Sequence, residues 1–128
     1  MRTLILQQVT AVSEAPSELK VWCRAGPEKV EPGDKLRVVI NWRTDKPLPS
    51  DGLLIVKYWF KVYSWFRKRA PRVRGKVAKT VFLGEKVHRV RKGLIRWFVI
   101  DELEVPDVGM PEADWYIAEI VAEVTLRF

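Results

Sequence analysis

The sequence is poor in the residues that most often carry catalysis, metal binding or covalent cross-links. Its 128 residues include one cysteine, Cys23, and one histidine, His88. A single cysteine excludes a disulfide within the chain, so packing must hold the fold. A single histidine excludes the paired-histidine zinc motif, and neither a glycine-rich phosphate loop nor a Gly-x-Ser-x-Gly elbow occurs. We therefore expect no enzyme, no cofactor and no metal site.

Amide side chains and long apolar runs are also scarce. Asn41 is the one asparagine, and Gln7 and Gln8 are the two glutamines, whereas Lys, Arg and Glu are abundant. This composition is typical of hyperthermophile proteins. No stretch reaches the roughly 18 apolar residues of a membrane span, and the two glutamines interrupt the first apolar run before it has the length of a signal-peptide core. We expect no membrane span and a cytoplasmic location.

Charge is abundant but unevenly distributed along the chain. Residues 57–96 hold fourteen basic residues and one acid, residues 97–128 hold eight acids and one base, and the formal net charge is +7. A field this polar steers an anionic partner toward one part of the molecule, or one copy of the protein onto another. The sequence thus predicts the kind of partner and leaves its identity open.

Alternating apolar and polar residues predict an all-β fold with about seven to eight antiparallel strands in one domain, residues 1–128. The alternation is clearest at 36–42 and 116–128, where every second residue is apolar. A long strand is predicted at 53–66, with its even-numbered residues in the core. Segments 76–83 and 86–91 are predicted to form a hairpin around a Gly84-Glu85 turn.

The order of these elements resembles an immunoglobulin- or fibronectin-type β-sandwich over residues 18–128. A Pro-Gly-Asp turn at 32–34 precedes a strand, and a proline loop at 106–113 precedes the terminal strand. The resemblance implies an adhesive or structural module and carries over no catalytic residues. With its composition, the chain is also similar to small proteins of archaeal viruses, which would make it virion-associated. A small barrel of the oligonucleotide-binding kind is the alternative fold.

The candidate site joins the predicted long strand to the basic loop that follows it. The strand's odd-numbered face alternates cations with large rings, and the loop is rich in arginine; the members are Lys57, Trp59, Lys61, Tyr63, Trp65, Arg67, Lys68, Arg69, Arg72, Arg74 and Lys76. Rings on which bases stack and cations that contact phosphates are what single-stranded nucleic acid requires. The alternative is that the lysine stems cover neighbouring rings and the loop is a solvated tip.

Two functions remain open at this point. In the first, a non-catalytic structural or interaction module docks the basic residues 57–96 on an anionic partner. That partner is an acidic protein surface or the acidic end of a second copy, arranged head to tail. In the second, the protein binds single-stranded nucleic acid through the strand and loop just described.

Overall fold

A computed structural model describes residues 3–65, 77–109 and 115–128. These residues contain eight β-strands and no helix, so none of them forms a helix that could cross a membrane. In chain order the strands are β1 (Leu4–Ala15), β2 (Lys20–Gly26), β3 (Lys29–Val30), β4 (Lys35–Arg43), β5 (Gly52–Trp65), β6 (Val77–Val90), β7 (Arg96–Glu104) and β8 (Trp115–Arg127).

The strands form two sheets, one curled into a half-barrel and one small. The large sheet has the order β3-β1-β8-β5-β6, and the small sheet has the order β2-β4-β7. An all-β fold is therefore confirmed, but its strands are not all antiparallel, because β1 runs parallel to β8. The immunoglobulin-like arrangement is not confirmed. Both sheets of that arrangement are antiparallel, whereas the large sheet here is a half-barrel that contains the parallel pair β1 and β8.

The core lies between the two sheets and is built from alternate residues of the long strands. The even-numbered residues from Leu54 to Val62 on β5 are fully buried, as predicted, and so are those from Ala118 to Val124 on β8. Leu36, Val38, Ile40 and Trp42 of β4 face them from the small sheet. Period-2 burial on both sheets fixes which side chains point outward, because a register slip of one residue would expose the whole core face.

The predicted hairpin around Gly84-Glu85 is wrong. Residues 77–90 form one continuous strand, β6, along the edge of the large sheet. Tyr58 pairs with Gly84 and Trp59 with Phe82, which leaves one extra residue, Leu83, as a β-bulge. Gly84 has a φ of 107°, a conformation that glycine supplies at little cost both in tight turns and in bulges. Gly84 therefore does mark a position where the backbone has a positive φ, but that position is a β-bulge and not a turn.

The predicted Pro-Gly-Asp turn is present immediately before β4 and is held by two hydrogen bonds. The Asp34 amide donates to the Glu31 carbonyl at 3.0 Å, and the Asp34 carboxylate accepts from the Glu31 amide at 2.8 Å. Gly33 has a φ of 92°, which only glycine adopts readily. This turn fixes where β4 begins and therefore which of its residues face outward.

Candidate anion-binding surface

The cation-and-ring face predicted for β5 does lie on the outer surface of the large sheet, but its cations stand beside carboxylates. Lys57 pairs in register with Glu85 of β6 and with Glu123 of β8. Lys61 pairs with Glu119, and residues directly opposite on neighbouring strands have Cβ atoms only about 4.5–5.5 Å apart. The lysines of this face are thus set among charges of opposite sign.

The rings of the same face are partly covered by neighbours. Trp59 lies against Phe82 of β6, with ring centroids 4.8 Å apart and planes tilted by 51°. The Tyr63 hydroxyl donates a hydrogen bond to Oε2 of Glu119 at 3.0 Å. The first contact occupies part of the ring surface on which a base would stack, and the second occupies a hydroxyl with which a base could form a hydrogen bond.

The rest of the predicted site lies outside the described residues. It consists of the side chain of Trp65 and of the loop residues Arg67, Lys68, Arg69, Arg72, Arg74 and Lys76. The predicted binding role of the loop therefore stays a prediction.

The described acids of the C-terminal segment are divided between the interior and two parts of the surface. Asp101 points inward and is buried, whereas Glu102 and Glu104 of the same strand are exposed. Glu119 and Glu123 lie beside the lysines of β5. No group of three or more metal-ligating side chains occurs in the ranges 3–65, 77–109 and 115–128.

On the outer face of the small sheet, cations are grouped together more than they are on the outer face of the large sheet. Its register sets three cations side by side, because Arg43 on β4 pairs with Lys20 of β2 and with Arg96 of β7. The next outward row along the strands is Trp22, Asn41 and Phe98, and Arg24 of β2 follows in the row after that. We call these residues the basic sheet face: Lys20, Trp22, Arg24, Asn41, Arg43, Arg96 and Phe98.

The cations of the basic sheet face have no carboxylate directly opposite them in the described strands. Lys20, Arg24, Arg43 and Arg96 are all exposed. Like charges directly opposite on adjacent strands are destabilising, so the row is unfavourable to the fold on its own. An anion bound across the three strands would remove that repulsion.

The other end of the same face is different. Arg37 pairs in register with Glu102, and Lys35 pairs with Glu104. The outer face of the small sheet is therefore basic toward Arg43 and balanced toward Lys35. This asymmetry supplies matched cations for comparison, two that oppose a carboxylate and three that do not.

Inside the molecule, Asp101 joins the two sheets through polar contacts. Its Oδ2 accepts a hydrogen bond from the buried Tyr58 hydroxyl at 2.6 Å. Nε2 of His88 lies 2.9 Å from Oδ1 of the same carboxylate. No hydroxyl or thiol of the described residues is hydrogen-bonded to His88, so the pair lacks the nucleophile of a catalytic triad. The cluster ties β7 to β5 and β6.

The half-buried Cys23 thiol and the buried Tyr58 hydroxyl both have raised pKa values. Burial raises the pKa of the Cys23 thiol to about 11, which opposes formation of the reactive thiolate. Burial, followed by the hydrogen bond and charge of Asp101, raises the pKa of Tyr58 well above its ordinary value. Cys23 is partly buried and packs against the core.

Comparison with protein-family models, with curated proteins and with solved structures finds no match for this chain. The candidate site therefore rests on the geometry just described. Sequence reasoning missed Trp22, which stands between Lys20 and Arg24 on the outward phase of β2. It also missed Phe98, which stands between Arg96 and Ile100 on the outward phase of β7. Their approach to Arg43 depends on how β2, β4 and β7 pair, and local patterns do not show that pairing.

Proposed function

We propose that the protein is a non-catalytic interaction module that binds an anionic partner on the basic sheet face. The observation that carries this proposal is the row Lys20, Arg43 and Arg96, set on three adjacent strands with no carboxylate opposite. Exposed cations focused on one side raise the local concentration of an anion and its rate of association. This proposal moves the predicted anion site from the face of β5 to the small sheet.

The interior supports a binding role over a catalytic one. The His88–Asp101 pair is turned toward Tyr58, and the Asp101 carboxylate is only 6% exposed. A general base must reach the proton that it removes, directly or through one water. Here the carboxylate is occupied by two partners that hold the sheets together.

Head-to-tail docking of a basic loop on an acidic end is the weaker alternative. It requires a contiguous acidic surface, whereas Asp101 is internal and Glu119 and Glu123 stand beside lysines. Glu102 and Glu104 are exposed but stand opposite Arg37 and Lys35. We therefore favour a partner of a different kind as the source of the anion.

The test is retention on immobilised heparin, a sulfated polyanion, in a salt gradient at neutral pH. We expect the triple variant Lys20→Ser/Arg43→Ser/Arg96→Ser to elute at clearly lower salt than the unmodified protein. The matched control, Lys35→Ser/Arg37→Ser/Lys57→Ser, removes the same charge from exposed cations that oppose carboxylates. Equal elution of the two triple variants would mean that net charge alone governs retention, and would contradict the proposed site.

A further inference from the structure

We propose that the anionic partner is single-stranded nucleic acid, with bases stacked on Trp22 and Phe98 and phosphates along the row Lys20, Arg43 and Arg96. This inference rests on the proposed function and names the ligand of the same face. It depends on two exposed rings whose positions match the cation row.

The rings are open to a flat ligand. Trp22 is 50% exposed and Phe98 is 45% exposed on the outer face of the small sheet. Phe98 also stacks on Trp97, with centroids 5.4 Å apart and planes within 21°. That contact holds the Phe98 ring in place and extends the aromatic surface around the edge of β7.

The spacing of the two rows suits a polynucleotide that crosses the strands. Lys20 and Trp22 are two residues apart on β2, as are Arg96 and Phe98 on β7, a separation of about 7 Å along the strand. A chain laid across the sheet would thus bring its phosphates over the cations and its bases over the rings. The rings stand two strand spacings apart, about 9.5 Å, with the Asn41 amide between them to bond a base edge.

The rings also favour a single strand over other polyanions. The bases of a duplex already stack on one another, so their flat surfaces cannot reach Trp22 or Phe98. An acidic protein would use the cations but has no need of two separated flat rings. The face of β5 fits less well, because Lys57 lies between two glutamates and Trp59 is less exposed than Trp22 or Phe98.

The experiment compares three labelled probes at neutral pH by fluorescence anisotropy: a 12-nucleotide single-stranded DNA, its duplex, and poly-L-glutamate. We expect the single strand to bind most tightly. Base stacking on an aromatic ring predicts that Trp22→Ala and Phe98→Ala each weaken single-strand binding about 5- to 150-fold. The matched control is Phe82→Ala, which removes a comparably exposed ring from the other sheet. Its affinity should equal that of the unmodified protein.

Two further readouts separate stacking from simple charge. Removing three phosphate contacts with the triple variant of the cation row should lower the slope of log affinity against log salt by about 2. Trp22→Ala and Phe98→Ala should leave heparin retention unchanged, because neither alters charge. Binding of the single strand should quench tryptophan emission, and Trp22→Ala should reduce that quenching.

The outcomes distinguish this inference from the proposed function. Equal affinity for duplex or polyglutamate, or ring variants that bind the single strand normally, would overturn nucleic acid as the ligand. In that case heparin retention that depends on the cation row would still uphold the anion-binding face. Loss of that dependence as well would overturn both.

Discussion

Replacing Asp101 with alanine is expected to destabilise the protein by about 2–4 kcal/mol, although the residue lies on an edge strand. Asp101 accepts a 2.6 Å hydrogen bond from Tyr58, a fully buried residue. Loss of a hydrogen bond to a charged group costs about 1.5–3 kcal/mol, and this figure already includes leaving the buried hydroxyl without a partner. The contact with Nε2 of His88 adds about 0.5–1 kcal/mol, as an ordinary hydrogen bond does.

A double-mutant cycle isolates the hydrogen bond between the sheets. Tyr58→Phe removes the donor, Asp101→Ala removes the acceptor, and the double variant loses the bond only once. We therefore expect a coupling energy of about 1.5–3 kcal/mol, far above the additivity limit of about 0.5 kcal/mol for independent sites.

The assay is urea denaturation at pH 7, followed by tryptophan fluorescence and circular dichroism so that two-state unfolding can be checked. Glu102→Ala is the control, because Glu102 is the exposed neighbour of Asp101 and its loss removes only the cross-strand pair with Arg37, which contributes about 0.2–1 kcal/mol. If Asp101→Ala costs no more than this control, or if the cycle gives a coupling below about 0.5 kcal/mol, the cluster does not tie the sheets together.

Two further predictions concern pH and packing. Because the unfolded chain ionises Cys23 and Tyr58 at lower pH than the folded chain does, stability should be complete below about pH 9 and fall as the pH rises toward 11. Urea midpoints from pH 8 to 11 should show this loss, and Cys23→Ala should remove its lower part; a flat profile would contradict the burial of both groups. Gly52→Ala should lower the unfolding free energy by about 1–3 kcal/mol, because its added Cβ would meet the carbonyl oxygen of Arg127. Gly26→Ala, with open space at the same position, is the control and should cost less in the same urea assay.

The buried residues were largely predictable because the alternation that identifies them is visible within a single segment of the sequence. Alternation of apolar and polar residues over a single segment identifies the buried face of β5 and of β8, where the alternate residues of 54–62 and 118–124 are fully buried. The alternation continues to Phe128, which is exposed. Strand pairing is not local, and here the expectations failed in part. The parallel pairing of β1 with β8 joins the two ends of the described chain, and the bulge at Gly84 uses the same backbone freedom that a turn would use.

The candidate site was less predictable, for a reason that concerns charge. Summing charge along segments directed attention to residues 57–96, but of the basic sheet face only Arg96 belongs to that segment. Lys20, Arg24 and Arg43 come from a part of the chain with nearly balanced charge. Pairing of β2, β4 and β7 brings these cations together, and pairing of β5 with β8 places acids from the C-terminal segment next to the central lysines.

The contrast between the two outer faces is the strongest physical reason to assign function to the small sheet. On the large sheet, each lysine of β5 has at least one glutamate directly opposite on a neighbouring strand, an arrangement that stabilises strand pairing without any partner. On the small sheet, Lys35 and Arg37 also stand opposite glutamates, whereas Arg43 stands between two further cations, Lys20 and Arg96. A sheet that needed only solubility could alternate its charges throughout. Segregation of cations beside two open rings costs stability in the free protein, and binding of an anion with flat, stackable groups would offset that cost.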